Sequence, residues 1–202
     1  MGNWYTNISV KGVQQSDVIA ALDELGRRAL VTPDVGGWVV VYDQECDKFD
    51  LDVLESLALT LSTRLSCTAL AGSNADDGIL WLGVYENGKL SSRYTSKRDE
   101  FEDGKEFPRL QDVADVLCRI FDKLEKRQQV RRILSRPHGI LGLLSLFFRI
   151  RFAYVTEVFR HGDLSEALGI PRASVGFGYR YVDRGETPDG LDREKIRRTL
   201  NG

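Results

Sequence analysis

The stretch at 76–90, DDGILWLGVYENGKL, constrains the fold more than any other part of the chain. Asp77-Gly78 and Asn87-Gly88 stand on either side of a dense apolar run. Asp-Gly and Asn-Gly supply the positive φ angles that tight hairpins need, so the stretch is expected to form a β-meander. Whatever precedes it must offer a strand for that meander to extend.

Upstream, NWYTNISV at 3–10 sets Trp4, Thr6, Ile8 and Val10 against Tyr5, Asn7 and Ser9, the period of a strand. Gly12 ends it. With Ser16 as N-cap, Val18, Leu22, Leu25 and Ala29 fall on one helical stripe. A short strand around Ala29 to Thr32 follows, and after the Gly36-Gly37 turn WVVVYD is β-branched and aromatic throughout. Asp50 caps the next helix, in which Leu54, Leu57, Leu61 and Leu65 repeat at helical spacing, and CTALAG makes a fourth strand. The order β-α-β-β-α-β is the split arrangement of the ferredoxin-like superfold. The expected fold class is therefore α+β: a ferredoxin-like βαββαβ two-layer sandwich over 1–95, extended by the β-meander.

Residues 96–108, SKRDEFEDGKEFP, are mostly charged and read as a linker. Beyond it, 109–202 reads as a mainly helical region packed on the first part as one unit. Leu110, Val113, Leu117, Ile120 and Leu124 form one stripe, and QVRRIL begins another helical piece that Ser135 to Gly139 breaks. Helix then continues to Leu168. GILGLLSLFF at 139–148 is ten residues without charge, while a membrane span needs about 20, so no transmembrane segment is expected.

Three separated cysteines, Cys46, Cys67 and Cys118, with no CxxC pair, fit a reducing compartment rather than a disulfide framework or zinc site. The N-terminus shows no signal-peptide pattern, and the cytoplasm is the expected location. Charge is unevenly spread: 1–118 holds 11 Lys and Arg against 20 Asp and Glu, 119–160 holds 10 against 3, and 161–202 holds 7 against 7. The basic block either packs near the acidic half, offers a solvated face, or meets an anionic partner.

Motifs for chemistry are poor. Asp43, Glu45 and Asp47 resemble the start of a calcium loop, but Lys48 stands where the loop needs glycine. His138 and His161 are each flanked by glycine, which suits a loop as easily as a general base, and no GxSxG elbow accompanies them. Acids beside Cys46 would raise its pKa and weaken it as a nucleophile. No catalytic residue, cofactor or metal is expected, although an enzyme with an unrecognised site stays open.

ALGIPRASVGFGYRYV at 167–182 admits two nucleic-acid readings. As a helix-turn-helix its second helix would carry Gly176 and Gly178, each costing about 1 kcal/mol relative to alanine. Alternation of Val175, Phe177, Tyr179 and Tyr181 with Gly176, Gly178 and Arg180 favours a strand near 174–183. GFGY then matches part of the aromatic signature of RNA-recognition motifs, but at the wrong strand and in a chain whose sheet half is acidic. Glycines on one strand face more simply admit a neighbouring element of the same chain.

GNWYTNI at 2–8, DDGILWLGVYENGKL at 76–90 and LGIPRASVGFGYRYV at 168–182 together resemble a bacterial protein family of unknown function. The resemblance spans most of the chain, implies no activity, and implies that both halves fold as one unit. In that pattern a histidine precedes the aspartates of the first hairpin turn; here the turn reads Asn74-Ala75-Asp76-Asp77. The departure puts in doubt any polar role that the resemblance would imply at that turn.

The function expected is a non-catalytic cytoplasmic protein-interaction or regulatory module, self-associating or binding a protein partner through 139–160. The alternative is a nucleic-acid-associated regulator using the basic segment 119–160. Candidate interaction residues are Arg127, Arg131, Arg132, Phe147, Phe148, Arg149, Arg151, Phe177 and Tyr179.

Overall fold

The computed structural model describes residues 2–101, 107–137 and 154–200. Its frame is a seven-stranded antiparallel sheet in the order β6-β5-β4-β1-β3-β2-β7. The strands are β1 (Tyr5–Lys11), β2 (Ala29–Val31), β3 (Trp38–Asp43), β4 (Thr68–Ala75), β5 (Ile79–Glu86), β6 (Lys89–Thr95) and β7 (Arg197–Arg198). Two hairpins build the β4-β5-β6 meander. Asn87 and Gly88 both take positive φ in the two-residue turn between Glu86 and Lys89, and Asp76 and Asp77 do so in the turn before.

Six helices pack on the sheet among the described residues: α1 (Gln15–Glu24), α2 (Leu51–Arg64), α3 (Leu110–Ile120), α4 (Arg127–Ser135), α5 (Glu157–Leu168) and α6 (Tyr179–Asp183). Asp50 caps α2 by accepting from the backbone N–H groups of Asp52 and Val53. Gln14, not Ser16, is the N-cap of α1, and its side chain makes no capping bond.

The α+β class holds, but the molecule is not a simple two-layer ferredoxin-like sandwich. Helices α1 and α2 cover one sheet face, with Val18, Leu22, Leu54 and Leu61 against Ile8, Val41 and Ala71. The opposite face is covered as well: Val113, Leu117, Ile133 and Leu164 from α3, α4 and α5 pack on Leu70, Leu80, Leu82 and Tyr94. Farther along that face, Ala173, Tyr179 and Val182 cover Leu30, Val40 and Tyr42. A sheet buried on both faces needs apolar residues at both parities, and WVVVYD, buried at all six positions, is such a run. The charged stretch 96–108 is anchored at both ends of its undescribed middle, since Phe101 and Phe107 pack against the first core and meet each other edge to face.

The strand expected near 174–183 does not form. The chain instead makes a 3₁₀ turn at Arg172–Ser174, a bend at Gly176 with φ +83°, and the short helix α6. The alternating aromatics do not share a face. Tyr179 is buried on the second sheet face, whereas the Tyr181 hydroxyl accepts from the Trp4 backbone N–H. Asp47 decides the backbone geometry: its carboxylate accepts from the Arg180 N–H at 3.0 Å, giving that donor a side-chain partner in place of a sheet ladder.

Glycine is required here by close approach. A Cβ at Gly178 would lie 2.5 Å from Asp47 Oδ1 and 3.2 Å from both the Thr6 nitrogen and Tyr5 Cβ. Gly178→Ala is therefore expected to destabilise the protein by about 1–3 kcal/mol, the usual range for overpacking. Urea denaturation checks this; an unchanged midpoint would contradict the packing described.

Candidate functional site

Between the two apolar clusters of the second sheet face runs a buried polar seam. Tyr5, Asn7 and Ser9 on β1 and Asn74 on β4 face it, together with Glu157, Arg160, His161 and Ser165 of α5 and Ser174. Alternation along β1 dictates this row, because Ile8 and Val10 are taken by the first core. The Asn7 amide donates to the carbonyls of Ser174 at 2.8 Å and Phe177 at 2.9 Å. The Tyr5 hydroxyl shares a 2.7 Å hydrogen bond with His161 Nδ1, and the two rings stack at 5.8 Å. Gly72 leaves room for that imidazole, since a Cβ there would be 3.4 Å from His161 Cε1.

Arg160 closes the seam at its α4 end. All five of its N–H groups are engaged: two sites on the Glu157 carboxylate and the carbonyls of Ile133, Leu134 and Arg136. Those carbonyls belong to the C-terminal turn of α4, where backbone acceptors lack intrahelical donors and a cation is favoured. The guanidinium also lies 4.7 Å from the centre of the Tyr154 ring. Glu157 donates its backbone N–H to the Asp77 carbonyl, tying α5 to the β4-β5 turn.

At the surface end of the seam the three motif stretches meet. Asn3 donates its backbone N–H to Asp77 Oδ2 and its side-chain amide to the Gly176 carbonyl, and Asn74 donates to the Asn3 carbonyl. Trp4 Nε1 donates to Asp76 Oδ1 at 3.1 Å. The acids of the Asn74 to Asp77 turn thus hold the N-terminal strand in place.

The groups with covalent chemistry are enclosed. Cys46 is buried, and desolvation, then Asp43, pushes its thiol pKa up; burial likewise takes Cys67 up to about 11. Desolvation lowers His161 to about 4, so the imidazole is neutral at pH 7. His161 is not a loop residue as expected: it lies in mid-helix with Gly162 beside it, while His138 lies outside the described residues. The loop acids diverge to separate partners, Asp43 to Arg27, Asp47 to Arg180 and Glu45 to Lys48.

Accessible space lies on the other side of α5. A groove of about 350 Å³ is lined by Phe159, Gly162, Glu166, Arg172, Phe177 and Asp189, with Val158 and Val175 in its wall. A second groove of about 310 Å³ shares Asp163 and Glu166 with it and adds Arg132 and Arg136. Phe159 is 56% exposed although it projects from a helix whose inner face is fully committed. Residues 159, 162 and 166 fall at i, i+3 and i+7, one stripe along the helix. Gly162 costs about 1 kcal/mol relative to alanine in a helix interior, yet a Cβ there would meet only Val175 Cγ1 at 3.9 Å. Nothing in the described fold requires a glycine at that position.

The candidate residues chosen from sequence are scattered. Arg127 and Arg131 both pair with Asp115, at 3.0 and 3.1 Å. Arg132 is exposed and lines the second groove, and Phe177 lines the first. Tyr179 is 4% exposed, with its hydroxyl accepting from Arg198, so it is not a surface contact; the aromatic alternation that singled it out belongs to a helix. Phe147, Phe148, Arg149 and Arg151 lie outside the described residues. Phe159, Gly162, Glu166, Arg172 and Asp189 escaped the sequence reading. Their one local signal is in EVFRHGDLSEAL, where a phenylalanine and a glycine stand one turn apart off the buried stripe. Comparison of the chain with models of known families, with curated proteins and with solved structures returned no match.

Folding stability should depend on pH through His161. In the unfolded chain its pKa returns to about 6.5, so between about 6.5 and 4 the unfolded state takes up a proton that the folded state refuses. Stability is therefore lost as pH falls through that window, by on the order of 3 kcal/mol at its lower end. Urea midpoints between pH 7 and 4 should fall for the wild type and flatten in His161→Gln; parallel curves would remove His161 as the source.

Proposed function

We propose that this chain is a protein-interaction or regulatory module that acts by non-covalent contact along the outer face of α5. The observation that carries the reading is the stripe of exposed Phe159, half-buried Gly162 and exposed Glu166 beside a groove whose charged rim is not neutralised internally. Among the described residues, Glu166, Asp189, Arg132 and Arg172 have no ion-pair partner, whereas Arg136 approaches Asp163 at 3.8 Å. An exposed aromatic set among unpaired charges is the composition expected of an interface centre and its rim.

Other surfaces offer less support. The groove of about 460 Å³ beside α1 and α2 has Arg27 in its wall, and that guanidinium is held by Asp43. The nucleic-acid reading rests on arginines of the basic segment, and two of them, Arg127 and Arg131, are paired with Asp115. Phosphates would have to displace that carboxylate. A thiol or imidazole mechanism finds no support at Cys46 or His161, each of which is 1% exposed. No helix among the described residues is long and apolar enough to cross a membrane.

A photo-crosslinking amino acid placed at position 159 tests the contact reading in cells, with position 90 on the distant strand β6 as control. Leu90 is 39% exposed, so the two sites differ in location more than in access to solvent. Discrete protein adducts from position 159 alone are expected; adduct yields equal at the two sites, or none at either, would overturn the proposal.

A further inference from the structure

The occupant of the α5 face can be named from its geometry and charge, an inference that rests on the contact reading above. We infer that it is a second copy of this chain, seated across α5 with the twofold axis near Gly162. Three independent features point that way.

Charge is the first. Among the described residues, the unpaired ionic groups of the two grooves are two acids, Glu166 and Asp189, and two bases, Arg132 and Arg172. A nucleic acid or a strongly basic peptide would be drawn by a single-sign field, which this face lacks. Equal numbers of free charges of each sign suit a self-complementary surface, where residue i meets j and j meets i.

Backbone approach is the second. Gly162 is the one position of the stripe without a side chain, and internal packing does not account for it. Gly178 makes the contrast, because Asp47 and β1 fill the space a Cβ would need there. A bare helix surface at Gly162 admits the backbone of another element. Under twofold symmetry that element is α5 itself, and an antiparallel crossing sets each Phe159 beyond the other copy's Gly162.

The knob and its receptacle are the third. Phe159 stands proud of α5, and the groove beside it has an apolar wall formed by Val158, Val175 and Phe177. Both halves of a knob-in-groove contact are therefore present on one face of one chain. A ring buried in such a groove at the centre of an interface is the kind of group that dominates its affinity.

Two measurements on the full chain test the inference. Light scattering over a concentration series should show mass rising from 22.8 kDa toward twice that value. Phe159→Asp, at an exposed position whose loss leaves the core intact, should weaken self-association by about tenfold or more. Gly162→Cys should form a disulfide-linked dimer under mild oxidation, and Leu90→Cys should not. The native Cys46, Cys67 and Cys118 are all buried, so the introduced thiol is the reactive one. Constant monomer mass together with adducts of other masses from position 159 would overturn the second copy and leave the contact reading standing. Constant monomer mass with no adducts at all would overturn both. Equal disulfide yields from positions 162 and 90 would reject the placement of the axis at Gly162.

Discussion

Strand β1 sits in the middle of a sheet covered on both faces, and one of its two faces is polar. That is the constraint on which the C-terminal half of the fold depends. A buried amide without partners costs about 1–3 kcal/mol, and a buried hydroxyl costs a comparable amount. Tyr5 and Asn7 must therefore find acceptors and donors from whatever covers them. Neighbouring strands cannot provide these, because their backbone groups are engaged in the ladder and Gly72 presents no side chain. The partners come from far along the chain: His161 for Tyr5, and the Ser174 and Phe177 carbonyls for Asn7. An apolar β1 face would let the covering layer slide. The polar one sets where α5 and the turn after it can sit.

Helix α5 is consequently fixed from within. Glu157, Arg160 and His161 occupy its inner face, and Arg160 adds the C-terminal turn of α4 to the same network. A buried ion pair of this kind is weak evidence for stability, because desolvation consumes most of its Coulombic gain. Its geometric consequence is firmer: breaking either partner would leave a charge buried, so the rotation of α5 about its axis has little freedom. The outer stripe of Phe159, Gly162 and Glu166 is then presented in one orientation. A helix held this way offers a contact face with little ordering left to lose on binding.

Legibility followed the range of the forces involved. The hairpins signalled by Asp77-Gly78 and Asn87-Gly88, the Asp50 cap and the stripe of α2 depend on residues within a few positions of one another and can be read directly, although the positive φ angles of the first turn fall on Asp76 and Asp77 and not on Gly78. Helical spacing predicts the second helical layer as helices but not as the far side of a sandwich, although the unbroken apolar run Trp38–Tyr42, lacking polar alternation, is what a strand buried on both faces requires. Phe177, Tyr179 and Tyr181 have strand-like alternation, yet Asp47, more than a hundred residues away, caps a helix there. His161 looked like a loop residue because Gly162 follows it. The glycine tolerates helix, and the burial that defines the imidazole's chemistry comes from β1. The candidate groove is not legible in the sequence for the same reason: Phe159, Arg172 and Asp189 come together only through the fold.

Segment charge misleads in a related way. The block 119–160 carries ten basic residues, which suggests an anionic partner when summed along the chain. In the fold Arg119 lies on Glu86, Arg127 and Arg131 share Asp115, and Arg160 is buried on Glu157. The field of a surface depends on which charges remain unpaired and on which side they emerge, and neither follows from a count over sequence. Among the described residues, the unpaired charges that emerge around α5 are balanced in sign. A patch of this kind contributes little long-range attraction, and its selectivity comes from register at contact distance, where like charges set opposite one another are penalised. In the proposed contact, shape and apolar burial at Phe159 would supply the affinity, and the charges around it would decide which surface fits.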